Sequence, residues 1–136
     1  MSFGSGLLYV LAGVTFGASA FAQESGVARP NLVLEQIIEA MPRDAKQSVS
    51  IMTATFKPGD KTVTHTHRFP VGVYVLEGVF TLELKGRAPL HAKAGEAIVE
   101  PPNVEMTGYN RSATELTKVV IFYVSTPGMP FLDVSH

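Results

Sequence analysis

A chain of 136 residues with 46% apolar side chains and a formal net charge of −1 carries enough apolar material for one core and one domain. Acidic and basic residues are interspersed, which excludes a polybasic nucleic-acid surface. Cysteine is absent, so disulfides, thiolate metal sites and cysteine nucleophiles are excluded, and any metal must be held by His, Met, Asp or Glu.

In chain order, residues 1–22 form the first segment. Glu24 is the first charged side chain; before it an apolar centre, Leu7 to Phe16, leads into Ala20-Phe21-Ala22. This small-x-small ending predicts a signal peptide cleaved after Ala22 and a periplasmic or secreted mature protein. The opening lacks the Lys or Arg that such signals carry, and the alternatives are a retained membrane anchor or a buried apolar helix, both disfavoured by the Gly and Ser content.

Residues 23–46 read as an N-terminal tether with a first strand or short helix. In "LVLEQIIEA" (32–40) the apolar positions fit neither period well and lean towards a strand. Residues 47–125 form the main body. "SVSIMTATF", "VGVYVLEG", "VFTLELKG", "EAIVEPP" and "LTKVVIFYV" are short β-branched or aromatic runs separated by Gly- and Pro-containing turns, the pattern of an all-β sandwich or barrel.

Pro58-Gly59 suits a type II turn, and Glu77-Gly78 predicts a tight hairpin. Leu76, Phe80, Leu82, Leu84, Ile98, Val120 and Phe122 are the expected core. Residues 126–136 form a C-terminal arm in which Phe131 and Leu132 suit covering a sheet edge or a partner, the alternative being a free tail. His91 is expected in a loop, and His136 ends the chain.

His65 and His67 stand two apart on an extended segment, so both imidazoles face the same way and can reach one ion. Their frame resembles the first motif of the cupin family, G-x5-H-x-H-x3-E-x6-G, with Gly59, His65, His67 and Gly78 in place. The second motif, G-x5-P-x-G-x2-H-x3-N, resembles "GEAIVEPPNVEMTGYN", with Gly95, Pro101 and Asn110 in place. The resemblance implies a small antiparallel jelly-roll β-barrel and a His3Glu site for Fe, Mn, Zn, Ni or Cu. Here the Glu position falls on Val71, the second-motif His on Met106 and the second-motif Gly on Asn103.

Losing a hard carboxylate and gaining a soft thioether favours Cu(I). The expected site is therefore one copper ion held by His65, His67 and Met106, with Glu100 as an additional donor if it turns inward before Pro101-Pro102. Glu100 and Glu105 otherwise read as solvated carboxylates. Copper handling or sensing is the expected role. One alternative is a mononuclear, dioxygenase-like metal enzyme, for which Tyr74, Glu100 and Tyr109 are the candidate proton-handling groups. A metal-free module that holds a small molecule in a barrel lined by "FPVGVYV" is another. Exposed barrel edges invite a homodimer, and no nucleic-acid partner, nor any membrane contact after signal cleavage, is expected.

Overall fold

The computed structural model describes residues 26–136, so the signal expected at residues 1–22 lies outside the described residues. Residues 26–30 are exposed and irregular. Residues 31–136 form one compact unit built on β1 (Ser48–Phe56), β2 (His65–Thr66), β3 (Val71–Glu77), β4 (Val79–Leu84), β5 (Leu90–Lys93), β6 (Ala97–Glu100), β7 (Met106–Tyr109), β8 (Thr117–Ser125) and β9 (Asp133–Val134).

The strands make two antiparallel sheets, in the orders β1-β8-β3-β6 and β5-β4-β7-β2-β9. This is the expected all-β jelly roll, with its two sheets facing each other rather than closed into a continuous barrel. Side chains alternate across each strand: along β1, Met52, Ala54 and Phe56 turn inward while Val49 and Ile51 stay exposed. Between the sheets lies a core that includes Val73, Val75, Phe80, Leu82 and Val119. Full burial of a side chain such as Leu82 contributes about 1.5–3 kcal/mol.

The five runs read as strands each contain one. Of the expected core, Phe80, Leu82 and Leu84 are buried and Ile98 packs against them. Phe122 and Leu76 are instead 49% and 47% exposed, and Val120 is only half-buried. In β8 the inward set is Thr117, Val119, Ile121 and Tyr123, paired in register with Phe56, Ala54, Met52 and Ser50 of β1. The Pro58-Gly59 turn forms as expected: the Asp60 amide donates to the Lys57 carbonyl (3.0 Å) and Gly59 has φ of 81°.

Three expectations need correction. Residues 26–47 hold neither helix nor strand; "LVLEQIIEA" has no single apolar face to bury, and Leu32 and Ile37 remain exposed. The turn at Glu77-Gly78 is not a hairpin, because β3 pairs with β6 and β8 whereas β4 pairs with β5 and β7. Gly78 is the corner at which the chain leaves one sheet for the other. His91 lies on β5 rather than in a loop, exposed and opposite Thr81, with its Nδ1 3.1 Å from the Thr81 hydroxyl.

The family-motif residue Asn110 acts as a structural clamp. Buried at the end of β7, its amide donates to the Phe56, Lys57 and Glu115 carbonyls, and its side-chain oxygen accepts from the Ser112 amide. That joins the end of β1 to the loop before β8.

Candidate metal centre

β2 is held between β7 and β9, and it carries His65 inward. His67 follows one residue beyond the strand. Both are buried, at 4% and 1% exposure. Glu100 ends β6 and is also buried, so it turns inward rather than remaining solvated. Its backbone partner on β3 is Val71, the position at which the first motif lacks its carboxylate. A buried carboxylate thus stands beside that position, on the adjacent strand.

The His65 Nε2 and His67 Nε2 atoms lie 3.1 Å apart, and Glu100 Oε2 lies 3.0 Å from His67 Nε2. All three candidate ligand atoms fall within 4.8 Å of one another. The opposite ring nitrogens decide what they offer. His65 Nδ1 is 2.7 Å from the Val63 carbonyl and His67 Nδ1 is 2.7 Å from the Phe131 carbonyl. Carbonyls only accept, so each Nδ1 donates, and in the neutral rings both Nε2 atoms carry lone pairs.

With both rings neutral, two lone pairs and a carboxylate oxygen converge on one point with no donor among them. A cation resolves that convergence. Ligand atoms about 2.1 Å from an ion and at right angles to each other lie about 3.0 Å apart, so the donor set fits a single metal ion. The arrangement is two histidines and one carboxylate, each imidazole oriented by a carbonyl behind it, as metal-ligating histidines are elsewhere.

Met106 is buried in β7 directly opposite His65. It packs in the apolar core, while the chamber bordered by the two imidazoles and Glu100 is lined by other residues. That chamber measures about 150 Å3, and Phe56, Val73, Phe80, Ile121, Phe131 and Leu132 supply much of its wall. The two candidate tyrosines are not brought to it. Tyr74 is exposed on the outer side of β3, and Tyr109 lies under the Arg111 guanidinium, 4.1 Å from the ring centroid. Glu105 is on the surface beside Lys85 (3.3 Å), as expected.

Tyr123 was not singled out from the sequence. Its ring lies 6.1 Å from that of His67. Its buried hydroxyl approaches the Phe69 backbone without a hydrogen bond of normal geometry, and burial pushes the phenol above its ordinary pKa. A regular inward alternation along β8 would have found it, had the parity of that all-apolar run been readable.

A family model described as a cupin domain matches residues 52–122. No curated protein matches. Solved structures share the fold at low identity. A cupin-like protein from Thermotoga maritima is 21% identical over 64% of each chain, with a TM-score of 0.55. A DMSP lyase from Ruegeria pomeroyi is 12% identical over 65% of this chain and 43% of its own (TM-score 0.55). An oxalate decarboxylase from B. subtilis is 14% identical over 65% of this chain and 24% of its own (TM-score 0.54). The chain thus spans less than two thirds of the length of each of these proteins. With more than half of its length matched by that family model, on two facing antiparallel sheets, the chain belongs to the cupin family.

Proposed function

We propose that the protein is a mononuclear metal-dependent enzyme: His65, His67 and Glu100 hold one divalent first-row ion, which binds a small organic substrate in the adjoining chamber. One observation carries this reading. Both Nδ1 atoms are committed to carbonyls, leaving two Nε2 lone pairs and a carboxylate aimed at a common point.

Two histidines and a carboxylate suit Fe(II) in oxygenases and Zn(II) in hydrolytic sites. Glu100 supplies the hard, anionic donor whose absence from the first motif pointed to copper. Burial of all three ligands favours a resident ion over a cargo ion, which a carrier has to release. When bound, the metal would supply Lewis-acid or redox chemistry; the chain orients it and excludes water.

The chamber sets the substrate class. A cavity of about 150 Å3 with apolar walls accepts a body about the size of benzene. Its lining includes no Lys or Arg. A divalent ion partly neutralised by Glu100 leaves one positive charge, which matches a substrate with a single anionic head, such as a carboxylate or enolate, on a small apolar body.

Elemental analysis of protein purified without chelator tests the reading, with about one equivalent of metal expected. Glu100→Gln should lower affinity by more than the roughly 10–100-fold lost on removing a supporting group. Failure of the wild type to take up Fe, Mn, Ni, Zn or Cu by titration would overturn it.

Copper handling is the second reading, and the burial of Met106 directly opposite His65 supports it. Loss of Cu(I) affinity with retained Zn(II) affinity in Met106→Leu would favour it. Export is supported by the Leu7–Phe16 run ending in Ala20-Phe21-Ala22, and N-terminal sequencing of the exported chain tests it. Pairing of two copies is supported by the exposed Val49, Ile51 and Phe122 on the outer face of β1 and β8; sedimentation tests it.

A further inference from the structure

We infer that residues 129–135 are a working part of the site: a strap whose Phe131 carbonyl fixes the tautomer of His67 and which Arg68 and Asp133 latch in place. The two imidazoles are oriented by different means. His65 donates to Val63, two residues away, so its ring is preset by its own segment. His67 donates to Phe131, 64 residues further along the chain. Without that acceptor a neutral histidine in water holds its proton mainly on Nε2, the atom whose lone pair would have to face an ion at the point His65 and Glu100 share.

The strap grips the ring in a second way. The Phe131 ring centroid lies 4.7 Å from that of His67 and 5.3 Å from that of Tyr123. Phe131 and Leu132 also wall the chamber, so the element that orients the ligand helps to shape the substrate space.

Arg68, adjacent to His67, makes a bidentate pair with Asp133, at 2.9 and 3.1 Å, and donates to the Met129 sulfur. Thr66 and His65 of β2 pair with Asp133 and Val134 of β9, and the Ser135 amide donates to the Thr64 carbonyl at 2.9 Å. The latch thus lies beside the histidine it serves. Phe131 is a positioning residue, acting through its backbone.

The inference concerns the chain's own hydrogen bonds, and its first readout uses the metal-free protein, so it can fail while the metal reading stands. Long-range 15N–1H correlation should show a proton on Nδ1 of both His65 and His67, whatever their Nε2 atoms carry. In the doubly substituted chain (Arg68→Gln, Asp133→Asn), and in a chain ending at Gly128, His67 should lose its single-tautomer signature while His65 keeps it.

Zn(II) affinity should fall about 10–100-fold in both. Faster exchange of the Ser135 amide reports release of the strap in the double variant. Release with the His67 tautomer unchanged would overturn the proposal. Undisturbed Ser135 protection would overturn the latch. A merely structural strap would disturb both histidines equally, which also overturns it. Should the truncated chain not fold by near-ultraviolet circular dichroism, the double variant alone decides.

Discussion

Val71 and Glu100 are direct partners across β3 and β6, both buried, so their side chains stand on the same face of the sheet. A carboxylate on either strand would therefore face the same side as the candidate site. Glu100→Val should lower metal affinity roughly 100-fold or more, since it removes the anionic donor. Adding Val71→Glu to that variant should restore at least about tenfold by returning a carboxylate from the neighbouring strand. Titration calorimetry checks both; a double variant no better than the single would show that position 71 cannot reach the ion.

The metal-free protein should be no less stable in Glu100→Val. A buried carboxylate whose partner is a histidine costs desolvation that an apolar side chain avoids. Thermal melts therefore separate loss of ligation from loss of fold. At this scale, parity made His65 and His67 legible: they share a face whichever neighbours pair with them. Glu100 was legible only as an option, because a carboxylate before two prolines turns inward or outward according to the strand beyond it. Tyr123 was hidden in "VVIFYV", where both faces of β8 are apolar and a one-residue slip exchanges the inward and outward sets.

Between elements, Gly78 shows why turn chemistry was read correctly in place and wrongly in kind. Its φ of 74° marks a turn that glycine favours, which the Glu77-Gly78 pair announces. Nothing local says whether the next strand folds back beside β3 or crosses to the other sheet. The long-range pairing of β3 with β8 and β6 decides that. A Cβ at Gly78 would meet the Leu116 carbonyl oxygen at 2.1 Å and the Thr117 hydroxyl at 2.8 Å, so the corner is wedged against the start of β8.

Gly78→Ala should thus cost roughly 2–4 kcal/mol, from the left-handed backbone and the collision together. Gly59→Ala, with similar φ but nothing within 4 Å, should cost about 1–2 kcal/mol from the backbone alone. Urea melts of the two variants distinguish them, and equal losses would mean that the contact with Leu116 is easily relieved. The short β2 and β9 were illegible for a related reason: two-residue strands have no period to read, and they exist because residues far apart in sequence pair there.

The unit of residues 31–136 is tied together where β9 pairs with β2. The candidate centre draws His65 from β2, His67 from the residue after it, Glu100 from β6 and its second orienting carbonyl from the strap, so it assembles only when residues far apart in sequence have met. Asp133 offers a handle on that closure. The Arg68 guanidinium, hydrogen-bonded to it, holds its carboxyl below the ordinary value of 3.8, against a smaller opposing effect of desolvation. A carboxyl depressed in the folded state contributes stability that is present above its unfolded pKa and is lost as pH falls through the folded one. The pair is solvent-exposed and therefore screened by salt. Wild type should show stronger Ser135 amide protection than Asp133→Asn near neutrality, and the difference should shrink as pH drops below about 4 and vanish once Asp133 is protonated. Other carboxylates titrate in both proteins and cancel in the comparison. A difference that persists unchanged into strong acid would mean that the aspartate acts through its shape and not its charge, and no difference at any pH would mean that Phe131 and the β9 pairing hold the strap without it.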